Sequence, residues 1–196
     1  MNNPRSIRML LAALTTVAST SALAHPQAGA AAHFSLGFLH PFSGLDHILA
    51  MVAVGLWASQ LGGSALWKVP LAFVAMMAVG GALGMAGVAV PLVELGIAGS
   101  VLVFGLLVAF GARLPVALGM ALVGAFALFH GHAHGTEMPA DAAGLGYGLG
   151  FILATALLHG AGVGLGLLAG RGMPARALRV AGAAVAVTGA VLLAGI

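Results

Sequence analysis

Six apolar stretches, each about the length that crosses a bilayer as a helix, constrain this chain more than any other feature. A span needs ~20 apolar residues. Inside lipid only a helix or a closed barrel can satisfy its own backbone. The stretches cover residues 38–58, 67–88, 91–111, 115–134, 143–169 and 176–196. The breaks between them carry turn residues or charge: Gly62-Gly63-Ser64, Val90-Pro91, Arg113-Leu114-Pro115, Glu137-Met138-Pro139 and Gly170-Arg171-Gly172-Met173-Pro174. The expected fold is an all-α integral membrane protein, a bundle of six transmembrane helices. Only 6% of residues are charged, against roughly 25% in a soluble domain. That supply could not coat a water-facing surface, so a soluble enzyme, a nucleic-acid binder and a disordered tail are excluded.

The first residues read as a cleaved signal peptide. Arg5 and Arg8 form a positive leader, residues 9–17 are mostly apolar, and Ser21-Ala22-Leu23-Ala24 ends in a small-x-small pattern. Residues 1–24 are therefore expected to be removed, leaving a membrane domain over 25–196 that begins at His25. The apparent basicity, a pI near 10.7, then shrinks to five cations against four acids. Binding of nucleic acid, which needs clustered positive charge, has no support.

With the N-terminus outside, the inner ends of the six spans fall near residues 59–68, 111–115 and 170–179. Lys68, Arg113, Arg171, Arg176 and Arg179, the five remaining cations, all lie there. That asymmetry is the positive-inside signature of a bacterial-type cytoplasmic membrane protein, with both mature termini outside. Trp57 and Trp67 flank the first inner loop and are expected as interfacial anchors. Many of the 31 glycines recur at small-xxx-small spacing, as in Gly80/Gly84, Gly144/Gly148, Gly146/Gly150, Gly160/Gly164 and Gly162/Gly166. Such spacing lets helices approach closely in lipid. The string Gly164-Leu165-Gly166-Leu167-Leu168-Ala169 mimics a dinucleotide fingerprint but lacks the preceding strand that gives that fingerprint meaning.

Chemistry must come from imidazole and carboxylate. There are no cysteines and eight histidines, and polar groups within the membrane are costly without a purpose. One cluster, His40-Pro41-Phe42-Ser43-Gly44-Leu45-Asp46-His47, enters the first span. On a continuous helix His40 and His47 share a face two turns apart, and Asp46 can ligate or orient an imidazole. A second cluster, Phe129-His130-Gly131-His132-Ala133-His134-Gly135-Thr136-Glu137, ends the fourth span. If helical, it aligns His130, His134 and Glu137 with His132 turned away; if extended, its three histidines alternate. His159 lies deep in the fifth span, either bonded to a neighbouring carbonyl or acting as a deeper station on a path. Glu94 is either a water-facing interface residue or a buried carboxylate that needs a cation or proton. His25 and His33 belong to an exposed outer tail, where His25 with a free α-amine could chelate weakly.

Imidazole and carboxylate without sulfur select borderline divalent ions: Ni2+, Co2+, Zn2+ or Cu2+. The residues alone do not choose among them. At these positions the chain resembles the HupE/UreJ family of nickel permeases. His40, Asp46 and His47 match the family's His-x5-Asp-His pattern in the first span. Phe129, His130, Gly131, Ala133, Gly135 and Glu137 match its Phe-His-Gly-x-Ala-x-Gly-x-Glu pattern in the fourth. His134 fills a variable place and His132 is additional. The resemblance covers essentially the whole chain. It implies a secondary permease moving Ni2+, with Co2+ not separated from it, into a cytoplasm where hydrogenase or urease uses the metal. The candidate ligands, read from the residues and the resemblance together, are His40, Asp46, His47, His130, His134 and Glu137, with His132, His159, Glu94 and His25 as further candidates.

The expectation is thus a permease that works with a divalent ion and a lipid bilayer. It holds no permanent cofactor, and the sequence contains no ATP-binding motif. The rival is an intramembrane metalloenzyme holding a catalytic ion at the same cluster, although no His-Glu-x-x-His string is present. A non-transporting accessory to a metal-enzyme assembly is the third reading.

Overall fold

The computed structural model describes residues 29–138, 144–172 and 174–195. The expected signal segment and His25 lie outside the described residues. Among the described residues seven α-helices follow one another: α1 Ala30–Leu39, α2 Leu45–Leu61, α3 Ala65–Met85, α4 Val93–Phe110, α5 Val116–Glu137, α6 Gly144–Gly172 and α7 Ala175–Leu193. A short 3-10 turn, His40–Phe42, separates α1 from α2. Among the described residues there is no strand.

Helices α3 to α7 are long and apolar enough to cross a membrane, and their limits fall within a few residues of the expected spans. The first expected span does not hold as one straight helix. Residues 38–58 are divided between the end of α1, the 3-10 turn and α2, and the two helical segments are bent by 79°. They make a sixth span only if the bent pair is taken together. The local cause is chemical. Pro41 lacks an N–H for a helical ladder, and the Ser43 hydroxyl donates to the His40 carbonyl at 2.6 Å, closing the turn. Gly44 then takes an extended conformation before α2 restarts at Leu45.

Backbone-to-backbone packing holds the bundle. Helix α1 lies on α6 so closely that a Cβ on Gly37 would collide with the Tyr147 carbonyl, and one on Gly150 with the Phe34 carbonyl. Helices α3 and α5 meet the same way. Gly80 and Gly84 face the carbonyls of Leu128 and His132, while Gly131 and Gly135 face those of Met77 and Gly81. Without a hydrophobic drive between helices in lipid, such close van der Waals contact is what holds them together. Other expected packing glycines do not share this role: at Gly148, Gly160 and Gly164 a Cβ would meet nothing within 4 Å.

Trp57, Phe73, Phe104, Met51 and Met77 fill the centre. Trp57 is therefore a core residue and not the interfacial anchor that its position suggested. Its indole N–H donates to the Ala112 carbonyl at 2.8 Å. Gln60 donates to the Val108 carbonyl at 3.0 Å. These bonds tie the C-terminal ends of α2 and α4 together, at the end of the bundle that carries Lys68 and Arg113. Trp67, by contrast, is exposed.

This packing predicts that Gly131→Val destabilises the detergent-solubilised protein by about 1–3 kcal/mol or more, as overpacking does. Gly148→Ala should be neutral, or stabilising by up to about 1 kcal/mol through helix propensity. Thermal unfolding of the two variants beside the parent chain measures the contrast.

Candidate metal centre

Helix α5 runs unbroken through Phe129 to Glu137, so its side chains project at helical spacing. His130, His134 and Glu137 fall on one stripe, while Gly131 and Gly135 face α3. His132 points elsewhere. Its Nε2–H donates to the Val88 carbonyl at 2.7 Å and so ties down the loop between α3 and α4. Of the two geometries open to this segment in sequence, the helical one is realised. His132 stays outside the cluster.

The other half comes from the break between α1 and α2. His40 sits on the 3-10 turn, and Asp46 and His47 occupy the first turn of α2. The break abolishes the expected shared helix face of His40 and His47. The two rings meet instead through α5. His134 lies between them, with ring centroids 4.6 Å from His40 and 4.3 Å from His47. His47 also stands 4.7 Å from His130, its ring nearly perpendicular.

His40 Nε2 lies 3.2 Å from Glu137 Oε2, and His134 Nδ1 lies 3.9 Å from the same oxygen. One donor atom from each of His40, His134 and Glu137 falls within 4.8 Å of the others, close enough for a single ion. Asp46 acts on a neighbour. Its Oδ1 accepts from both the backbone N–H and the Nδ1–H of His47, each at 2.8 Å. A carboxylate that fixes an imidazole in this way leaves Nε2 as the free lone pair, as in many metal sites.

His40, Asp46, His47, His134, Glu137 and Glu94 line one cavity of about 240 Å3. Glu94 arrives there from the first turn of α4, after Leu92, which adopts a left-handed backbone at φ 59°. Glu94 thus joins the cluster from a third segment. A larger cavity of about 410 Å3 between α3, α5 and α6 is bordered by Met77, Met85, Met138 and Phe151. It reaches His134 from the other side and, among the described residues, offers no second imidazole or carboxylate.

Unpartnered buried nitrogen atoms lie at the smaller cavity, on His47 and His134, and next to it on His130. His47, His130 and His134 are buried. His47 Nε2, His130 Nδ1 and both ring nitrogens of His134 have no hydrogen-bond partner. Leaving such an atom unmet costs about 1–3 kcal/mol. A cation that accepts the one lone pair each neutral ring offers removes part of this cost, whereas apolar packing cannot.

Below the cluster, His130 Nε2 lies 2.8 Å from the buried Ser100 hydroxyl. Phe73 packs against both His130 and His159, at 5.6 and 4.9 Å between centroids. His159 is buried and neither of its ring nitrogens is bonded, so of its two readings in sequence the bond to a neighbouring carbonyl is not formed. His33, expected in an exposed tail, is buried in α1.

Sequence reasoning passed over Ser100 and Phe73. A hydroxyl within the apolar run of α4 was a usable signal for the first. Nothing in sequence marks one phenylalanine among nine for the second.

A helical, multi-pass membrane protein with imidazoles and carboxylates gathered at one end is the class that these features define. The family model described as HupE / UreJ protein matches residues 12–192. Protein HupE of Rhizobium leguminosarum bv. viciae is 52% identical over 184 residues, which cover 92% of this chain and 96% of that protein. The chain belongs to the HupE / UreJ family. No solved structure matches it.

The geometry separates two histidines that sequence places side by side. His132→Ala should lower thermal stability by about 0.5–1.5 kcal/mol, the net worth of its hydrogen bond to the Val88 carbonyl, with Co2+ binding to the purified protein unchanged. His134→Ala should do the reverse, abolishing Co2+ binding and leaving stability nearly intact. Thermal unfolding with and without Co2+ reads both effects.

Proposed function

We propose that this protein is a nickel permease, with Co2+ as the competing cation, and that it carries the ion into the cytoplasm for assembly of a nickel enzyme such as hydrogenase or urease. One observation carries this reading: ligands from three separated segments converge on a single cavity at one end of a helical membrane bundle. Family membership supports it. The donor set of imidazole and carboxylate without sulfur suits a borderline divalent ion. All five cationic side chains after residue 24 lie in sequence at the opposite helix ends, which by the positive-inside rule turns the cavity outward.

In this reading the protein acts as a facilitator. His40 and Glu137 meet the ion at the water-exposed rim. His134 takes it inward to His47 and His130, whose imidazoles replace its hydration shell. His159 lies further along the same helical interior, behind Phe73. The inside-negative potential contributes about 2.3 kcal/mol per charge per 100 mV. For a divalent ion that doubles to about 4.6 kcal/mol, or more than ~10³-fold accumulation without a pump.

Uptake of radioactive nickel by cells with and without the gene tests the proposal. His47→Ala combined with His130→Ala should abolish uptake at unchanged protein level, while His25→Ala should reduce it little. Wild-type uptake in the double variant would contradict the ligand assignment. Orientation is tested separately by single cysteines in this cysteine-free chain. A cysteine at Ala140 should be labelled from outside and one at Gly172 only from inside.

The pH dependence follows from ligand chemistry. Imidazole binds metal only when neutral, and its ordinary pKa is about 6.5. Lowering external pH from about 7.5 to about 5.5 should therefore reduce uptake at limiting nickel more steeply than one titration. Excess nickel should restore it. Uptake that rises on external acidification, and collapses with a protonophore at constant membrane potential, would show proton coupling instead of facilitation.

A further inference from the structure

Helix α4 carries two polar side chains, Glu94 at its start and Ser100 in its buried middle. The Ser100 hydroxyl oxygen lies 2.6 Å from the Ile97 carbonyl and 2.8 Å from His130 Nε2. A carbonyl can only accept, so the single hydroxyl hydrogen goes to Ile97. The same oxygen then turns a lone pair toward the imidazole, and Nε2 must carry the ring hydrogen. The reverse arrangement would set two oxygen lone pairs against each other at 2.6 Å. It would also leave an N–H at Nδ1, a buried atom with no partner.

We infer that Ser100 is a positioning residue that holds His130 in its Nε2–H form and so makes Nδ1 the nitrogen that binds the ion. The inference rests on the reading of His130 as a ligand, and adds which atom ligates and what fixes it. Asp46 performs the matching task for His47 from the opposite ring position, holding the hydrogen on Nδ1 and freeing Nε2. The two rings stand 4.7 Å apart and almost perpendicular. An arriving cation therefore meets two buried lone pairs whose protonation pattern is already set, one by a carboxylate and one by a hydroxyl. His159, with neither nitrogen bonded, has no such anchor.

Loss of an outer partner of a ligating histidine lowers metal affinity by roughly 10–100-fold. Ser100→Ala should thus raise the apparent KM for nickel uptake by about that factor, at a maximal rate per membrane-inserted protein close to the parent's. A mere loss of folded protein would lower the maximal rate instead. Nitrogen-15 spectra of histidine-labelled protein in lipid nanodiscs give the direct readout, with the His130 signals identified by their disappearance in His130→Gln. The parent should show His130 protonated at Nε2, and Ser100→Ala should move hydrogen toward Nδ1. If Ser100→Ala does not insert, Ser100→Cys, whose sulfur is a weak acceptor, should show the same two changes. A parent His130 protonated at Nδ1, an unchanged tautomer in the variant, or an unchanged KM would each overturn the inference. Absence of nickel uptake by the parent would instead refute the transport reading, and the spectra would still decide the tautomer.

Discussion

The contact of α5 with α3 through glycine governs the rest of the structure. Gly131 and Gly135 bring α5 onto the carbonyls of Met77 and Gly81, an approach that a Cβ would block. Once that face is committed to α3, helical geometry leaves no choice for the residues between. His130 and His134 turn toward α2, and His132 turns toward the loop at Val88. A close helix contact in lipid thereby orients three imidazoles.

The second constraint is the cost of unbonded polar atoms away from water. The cluster meets it only in part. Asp46 satisfies His47 at Nδ1, and Ser100 satisfies His130 at Nε2. The remaining lone pairs stay open, and His134, packed between the rings of His40 and His47, has neither nitrogen bonded. Half-satisfied imidazoles are unfavourable as structure, and in the proposed reading they suit an ion that must shed water in steps. The rim formed by His40 and Glu137 remains accessible, while His47 and His130 are buried.

The membrane spans were legible in sequence because length and apolarity act locally. The stripe of His130, His134 and Glu137 was legible for the same reason, since helix period alone aligns it. The break at His40 to Gly44 was not. Pro41 and Gly44 are tolerated near a helix start, and the 79° bend also depends on α1 settling on α6 through Gly37 and Gly150, a contact more than 100 residues apart in sequence. Glu94, Ser100 and Phe73 reach the cluster from α3 and α4 by long-range packing that no local pattern encodes. Trp57 misled because an indole near a helix end suits either an interface or a core, and only the acceptor at Ala112 decides.

In the proposed reading, transport of a dilute cation through this bundle requires no nucleotide, because the membrane potential supplies the work. The most direct test reconstitutes the purified protein alone in liposomes and imposes an inside-negative potassium diffusion potential at equal pH on both sides. The account predicts saturable nickel accumulation that scales with the potential and is lost in His134→Ala. Liposomes that take up nickel no faster than protein-free controls, or only when a pH gradient or a nucleotide is supplied, would contradict it.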